Sequence, residues 1–354
     1  INAGITTDHE CVALEEARFK ALQGMKIAIR EGSAAKNFDA LIDLIDEFPD
    51  QIMFCSDDKH PDSLLLGHIN QLVARAIEKG KDLFAVLKAC CITPIQHYNL
   101  AVGRLKPNEP ADFIVVKDLI NFNVLETYIS GILVAKEGES KILSTKTEPI
   151  NNFNVNPLSA NDFELNHDGG QAKVIVVEDS QLITGKIFSD VPEKDGKVIV
   201  DIEKDILKIA ILNRYLPDVK PSVALVKNFG LKNGAIASSV AHDSHNIIVV
   251  GTSDVLMAEA TNLIIQEKGG LSAVGPTGNK VLNLPVAGLM SNSDGFLVAS
   301  SYIEVDKKAK ELGSGLQSPF MTLSFMGLLV IPHLKLSDKG LFDSDLFKFE
   351  KVFG

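Results

Sequence analysis

The chain has 354 residues, which suggests about two or three domains. Its formal net charge of -11 argues against binding to nucleic acid or to an anionic membrane surface, because both select basic proteins. No apolar run approaches the ~20 residues that a membrane-spanning helix needs. The four Cys show no CxxC spacing, so neither a disulfide framework nor a zinc knuckle is predicted, and we expect a cytoplasmic protein.

The first residues resemble the interior of a domain. Residue 1 is Ile rather than Met, and a short β-branched segment follows at once. We therefore expect the sequence to be a portion of a longer protein.

The first hundred residues repeat a strand, a polar loop and a helix three times. This order is typical of a β/α barrel or a doubly wound sheet. The predicted strands are residues 5–10, 25–30 and 52–56, and the predicted helices are residues 14–24, 38–47, 64–79 and 83–91.

Each of these three strands ends in ionisable residues, namely His9, Arg30 with Glu31, and Asp57. In parallel α/β folds the chemistry lies on the loops after the strands, so these side chains are candidates for metal binding or proton transfer. Asp57 is followed by Asp58, and alternate side chains point to opposite faces, so one of the two is expected to face the site. An Asx turn that closes the strand is the alternative interpretation.

The middle of the chain predicts a small β subdomain and a polar linker. Residues 113–116 form a predicted strand, and residues 124–129 and 132–135 flank Ser130-Gly131 as a hairpin. Residues 136–170 are rich in polar side chains and read as a linker.

The last part predicts an α+β domain. Its predicted elements are strands at residues 173–177, 197–200, 222–226 and 246–250, a helix at residues 254–267 capped by Ser253, and a buried apolar run at residues 323–331.

Several histidines are candidates for a site. His9 with Asp57 suits zinc, manganese or iron, but a complete metal site needs at least three protein ligands, and the chain contains no HxH or HExxH. His60 is predicted to orient a substrate or relay a proton, and the cluster of His242 and His245 to contact a metal or a substrate. A structural or solvated histidine is the alternative in each case.

Five motifs resemble the bacterial adenine deaminases of the amidohydrolase superfamily. Three lie early in the chain: Ala3-Gly-Ile-Thr-Thr-Asp-His-Glu10, Ile29-Arg-Glu-Gly-Ser-Ala-Ala35 and Phe54-Cys-Ser-Asp-Asp-Lys-His-Pro61. Two more, Val240-Ala-His-Asp-Ser-His-Asn246 and Pro319-Phe-Met-Thr-Leu-Ser-Phe325, are similar to the C-terminal domain of that family.

The resemblance implies an α/β fold with three parts. These are the C-terminal strands and helices of a metal-dependent (β/α)8 amidohydrolase barrel (residues 1–98), a small β subdomain (99–150) and a C-terminal α+β domain (151–354). The family's HxH, its bridging carboxylate and its third histidine have no counterpart here. The resemblance therefore implies that the chain is the C-terminal portion of an enzyme and that this portion is inactive by itself.

The resemblance also implies an activity, the deamination of adenine to hypoxanthine and ammonia by a hydroxide on a divalent metal pair. Manganese or iron is expected, with zinc as an alternative, in a homo-oligomer. His9 and Asp57 would bind metal, with Asp57 preferred to Asp58 as the proton carrier. Glu10 would lie near the reaction, and Arg30, Glu31 and Ser33 would hold the purine.

Two other functions fit the same sequence. One is a different amidohydrolase acting on a cyclic amide or amidine. The other is a non-catalytic assembly fragment.

Overall fold

The computed structural model describes residues 1–33, 36–145 and 148–354, in two compact units, Ile1–Thr145 and Lys146–Gly354. Ala34 and Ala35, from one of the motifs above, and two residues of the predicted linker lie outside the described residues. Within the described ranges, no helix is both long enough and apolar enough to cross a membrane.

The first unit contains a parallel sheet of three strands, in the order β1 (Thr7–Asp8), β2 (Lys26–Arg30) and β3 (Ile52–Cys55). Asp8 lies opposite Ile27, and Arg30 lies opposite Cys55, so the carboxyl ends of all three strands meet at one edge. The sequence of β2 alternates in polarity, but residues 27–30 are all buried. Such burial on both faces is typical of a parallel sheet covered by helices.

Seven helices accompany this sheet within the described part of the unit. Some of them are interrupted where the sequence predicted one continuous helix. Residues 38–47 form two short helices, and residues 64–79 are interrupted at Gly67, whose φ of 144° ends the first helix. Residues 83–91 continue through a π turn, Lys88–Ile92, into a further helix. The helices are α1 (Leu14–Leu22), α2 (Phe38–Leu41), α3 (Leu44–Glu47), α4 (Pro61–Leu66), α5 (Ile69–Glu78), α6 (Leu83–Leu87) and α7 (Thr93–Tyr98).

A small antiparallel sheet completes the first unit. Its strands are β4 (Phe113–Val116), β5 (Val124–Ile129), β6 (Ile132–Lys136) and β7 (Glu139–Ser140), paired in that order. Ser130 and Gly131 have φ values of 50° and 78°, as a two-residue hairpin turn of type I′ requires. The predicted hairpin is confirmed.

The second unit is built on an eight-stranded sheet with β12 (Ile206–Leu212) near its centre. All seven residues of β12 are buried. The strand order is β17-β16-β14-β15-β12-β13-β8-β9, in which β8 and β13 run parallel. The strands are β8 (Ala172–Val176), β9 (Gly185–Ser189), β12 (Ile206–Leu212), β13 (Ser222–Lys227), β14 (Ala235–Ser238), β15 (Ile247–Gly251), β16 (Gly270–Val274) and β17 (Lys280–Asn283).

Helices and smaller sheets surround this sheet. Ser253 caps α8, because its Oγ accepts the N–H of Leu256 at 3.3 Å, and the predicted helix has the predicted bounds. The apolar run at residues 323–331 is buried only at first, and Val330 is 68% exposed. The elements are α8 (Asp254–Glu267), α9 (Gly295–Glu311), α10 (Pro319–Phe325), β10 (Glu193–Lys194), β11 (Lys197–Val198), β18 (Leu334–Ser337), β19 (Gly340–Asp343) and β20 (Lys348–Glu350).

Candidate active site

Arg30 joins two carboxylates at the carboxyl edge of the parallel sheet. Its guanidinium is buried and donates to Glu10 through Nη1 at 3.1 Å and Nη2 at 2.8 Å. Nη1 also donates to Oδ2 of Asp57. The three residues follow or end three different strands, so the sheet brings together side chains that lie 20 and 27 positions apart. Two carboxylates share one guanidinium, and the trio has a formal charge of -1.

Asn37 fixes the backbone beneath this trio. Its side chain is 4% exposed, and its Oδ1 accepts the N–H of Arg30 at 2.8 Å. Its Nδ2 donates to the carbonyls of Cys11 at 3.0 Å and His9 at 3.4 Å. One buried amide therefore ties the loop after β1 to the end of β2. Sequence reasoning missed Asn37, and the only signal was its place just before a helix.

The loops after β2 and β3 are also joined directly. Oγ of Ser33 accepts the N–H of His60 at 2.9 Å, and the N–H of Ser33 donates to the carbonyl of Asp58 at 2.8 Å. Burial lowers the pKa of His60 to about 4, because the imidazolium loses its hydration there. His60 is therefore neutral at pH 7. Asp57 has a φ of 52°, a left-handed conformation at the turn that follows β3.

Glu31 points into a different interaction. It pairs with Arg75 at 2.9 Å, and the Arg75 guanidinium also pairs with Asp39 at 3.0 Å and lies 4.1 Å from the ring centre of Phe38. Glu31 is thus held against α2 and α5, while Glu10 and Asp57 are held by Arg30.

His9 adjoins the trio through Glu10. Its Nε2 lies 3.3 Å from Oε1 of Glu10, and both side chains are about half exposed, at 51% and 52%. In the described part of the chain, no group of three or more His, Cys, Asp or Glu side chains is arranged to hold a metal ion. The resemblance to the amidohydrolases implies a divalent metal. These residues do not complete a metal site by themselves, because His9 and Asp57 supply only two of the at least three protein ligands that such a site needs.

His242 and His245 lie in the second unit, in the connection between β14 and β15. The ring of His242 stacks on Phe325 with the centres 4.5 Å apart, and its Nδ1 lies 3.4 Å from Oδ1 of Asp243. Burial, followed by the nearby His242 and Arg214, lowers the pKa of His245. This cluster has its own local contacts within that unit.

Family comparisons match both units. The amidohydrolase family matches residues 3–134, and the adenine deaminase C-terminal domain matches residues 181–348. The first match places the sheet edge with Glu10, Arg30 and Asp57 in an amidohydrolase domain. The second match and the relatives named adenine deaminase confirm the resemblance to the adenine deaminases that the motifs predicted.

The relatives are similar over nearly the whole chain. A protein from Salinibacter ruber named adenine deaminase is 53% identical over 98% of this chain and 64% of its own length. One from Borreliella burgdorferi is 50% identical over 98% of this chain and 64% of its own length, and one from Methanosarcina acetivorans is 48% identical over 100% and 66%. The chain spans slightly less than two thirds of the length of these curated relatives. This coverage agrees with the expectation that the sequence is a portion of a longer protein.

Solved structures give only a weak likeness. A β-aspartyl dipeptidase from Fervidobacterium islandicum AW-1 is 24% identical, covers 37% of each chain and has a TM-score of 0.32.

Proposed function

We propose that this chain is part of an enzyme that hydrolyses adenine to hypoxanthine and ammonia. The observation that carries the proposal is the convergence of Glu10, Arg30 and Asp57 at one edge of a parallel sheet, within a domain that the amidohydrolase family matches. Relatives about 50% identical that are named adenine deaminase support the choice of substrate.

Asp57 is the proposed proton carrier. Its side chain is 22% exposed, so it is partly buried but still accessible to solvent at the sheet edge. Water adds to C6 of the purine, Asp57 receives a proton from that water and passes it to the amine, and ammonia leaves. A carboxylate can do this only if it is held towards the reacting atoms, and Arg30 supplies such a hold. Asp58 remains the alternative carrier.

Arg30 is proposed to position these carboxylates rather than to contact the purine. Both of its terminal nitrogens already donate to Glu10 or Asp57. Glu10 is half exposed and is the better candidate for an in-plane hydrogen bond to a purine N–H. Glu31, Ser33, His60, His242 and His245 stay predictions as substrate contacts.

A divalent metal, manganese or iron in preference to zinc, is proposed as the cofactor of the whole enzyme, with His9 and Asp57 as contributors. Such an ion would lower the pKa of water. The described residues do not complete the site of such an ion. We also propose a cytoplasmic homo-oligomer with the three domain ranges given above.

Ammonia release from adenine tests the proposal, in a version of the protein extended to the length of its relatives and supplied with manganese or iron. Asp57→Asn should lower turnover by about 10²–10⁴-fold, because the group keeps its shape but no longer accepts a proton. Asp43→Asn is the matched control, since Asp43 is an exposed aspartate of the same unit that pairs with Lys81. Near-normal turnover in Asp57→Asn would exclude Asp57 as the carrier. No ammonia from the folded, metal-loaded wild type would point to another amidohydrolase substrate.

A further inference from the structure

Two adjacent cysteines lie with their sulfurs in contact on the π turn between α6 and α7. The Sγ atoms of Cys90 and Cys91 are 3.4 Å apart, and Cys91 is exposed to solvent. A π turn holds more residues than an α-helical turn, so consecutive side chains diverge less and two neighbouring thiols can meet. Sγ of Cys90 also lies 3.4 Å from the carbonyl of Leu87.

The other two cysteines are less accessible to solvent than Cys91. Cys11 is fully buried, and Cys55 is partly buried beside Asp57. Burial raises the pKa of both thiols to about 11, with the negative charge of Asp8 adding to the effect at Cys11 and that of Asp57 at Cys55. The contact with Cys90 lowers the pKa of Cys91. Cys91 is also the most exposed of the four cysteines, and because a reactive cysteine needs solvent access as well as a thiolate, Cys91 is the candidate nucleophile.

We propose that Cys90 and Cys91 form a peroxide-reactive dithiol, in which Cys91 is oxidised first and Cys90 resolves the product. An accessible thiolate beside a second thiol is the arrangement of redox-sensing cysteines. The proposal concerns a site that the deamination reaction does not use, and it stands independently of that reaction.

The chemistry balances with hydrogen peroxide as the oxidant. The Cys91 thiolate attacks one peroxide oxygen, the O–O bond breaks, and the departing hydroxide takes a proton to become water, which leaves Cys91 as a sulfenic acid. The Cys90 sulfur then attacks the Cys91 sulfur, the S–O bond breaks, and the hydroxide leaves with the Cys90 proton as a second water. Two thiols and one peroxide thus give one disulfide and two waters.

The product is expected to be readily reduced. Adjacent Cα atoms are about 3.8 Å apart across a trans peptide, whereas disulfides usually span about 4.4–6.8 Å. Strained and exposed disulfides are the labile ones, so the oxidation should be reversed by a mild dithiol. The turn packs against β3. Closure of the bridge must therefore be accommodated at a turn that contacts the sheet.

Peptide mapping after peroxide treatment tests the proposal on the chain as it stands. Trypsin cleaves after Lys88 and Arg104, so one peptide, residues 89–104, holds both cysteines, while Cys11 and Cys55 fall in peptides 1–18 and 37–59. In the wild type, peptide 89–104 should lose the mass of two hydrogens and regain it on reduction. In Cys90→Ser, dimedone should trap a sulfenic acid at Cys91. In Cys91→Ser, Cys90 should be labelled at least about tenfold more slowly.

The internal controls decide the outcome. Cys11 and Cys55 should stay unlabelled in the same digest while the circular dichroism spectra of all three proteins agree. Labelling of Cys11 or Cys55 as fast as Cys91 would overturn the proposal. So would wild-type protein that goes on to sulfinic acid without forming the disulfide, or equal labelling of the two single variants.

Discussion

Removing the guanidinium of Arg30 tests the reasoning about the site most directly. Arg30→Met keeps the length and the apolar stem of the side chain but leaves Glu10 and Asp57 without their shared cation. Breaking a buried ion pair costs ~3–5 kcal/mol when the remaining charge stays dry. Here the remaining side chains are 52% and 22% exposed, so water can partly rehydrate them. We therefore expect a loss of ~2–3 kcal/mol in the free energy of unfolding of the first unit.

Arg18→Met is the matched control. Arg18 also holds two carboxylates, Glu15 and Glu47, but their side chains are 81% and 46% exposed. An exposed pair of this kind contributes little to the free energy of unfolding, and salt weakens it. The Arg30 effect should change little between low and high salt.

Amide hydrogen exchange is the suitable assay, because the chain has two units and no Trp, so one global transition would not describe it. The opening free energy of the amides in β2 and β3 reports on the sheet that Arg30 joins. Arg30→Lys should fall between wild type and Arg30→Met, since it keeps the charge and loses the fork geometry. If Arg30→Met costs no more than Arg18→Met, the burial argument is wrong.

Two further perturbations act at buried polar groups. Asn37→Ala should lower stability by ~2–3 kcal/mol and speed exchange of the Arg30 amide, which loses its acceptor, whereas Asn156→Ala, an exposed amide bonded to Asp218, should cost under ~0.5 kcal/mol. Burial lowers the pKa of Lys335 to about 7 from 10.5, so the unfolded chain binds the extra proton between these values and the stability of the second unit should rise with pH there, by up to ~1.4 kcal/mol per pH unit. Urea unfolding at pH 7, 8 and 9, read at the transition of the second unit, measures this slope, which Lys335→Met should remove and the exposed Lys339→Met should preserve. A slope that survives Lys335→Met would assign it to another group.

Local signals predicted much of the first unit. The strand from Ile52 to Cys55 ends in polar residues and sits where the apolar run predicts it, and the hairpin follows from Ser130-Gly131. The helix breaks were missed, because Gly67 ends a helix through a backbone angle that its neighbours set. The helical segment that continues past Cys91 was missed, because a proline such as Pro94 usually marks the end of a helix. Here Pro94 lies in the first turn of α7, where proline is tolerated.

The strands of the second unit were harder to predict from the sequence, because the central ones are buried on both faces. The residues of β12, Ile-Leu-Lys-Ile-Ala-Ile-Leu, alternate neither as a half-exposed strand nor as an amphipathic helix. Lys208 in its middle looks like a surface residue, but its Nζ is buried and pairs with Asp254 at 2.7 Å and 2.9 Å. A partner 46 positions away cannot be inferred from local pattern. Burial on both faces also hid β14 and β16, whose residues are all buried.

For the candidate site, the sequence supplied the residue types at three strand ends, and the register supplied the contacts. Arg30 and Asp57 were expected at the same edge. Side-chain directions alternate along β2 and its continuation. Arg30 therefore faces Glu10 and Asp57, while Glu31 faces Arg75, and the sequence did not show which residue takes which direction.

The sharing of one guanidinium has a consequence for any mutational study of this edge. Glu10 and Asp57 both accept from Nη1 of Arg30, so each weakens the hold of Arg30 on the other. Neutralising Glu10 therefore strengthens the pairing of Asp57, and the effects of the two single changes cannot add. A loss of activity in a Glu10 variant would combine the loss of Glu10 itself with a tighter restraint on Asp57. Only the double variant, compared with both singles, separates a substrate contact of Glu10 from its competition for Arg30.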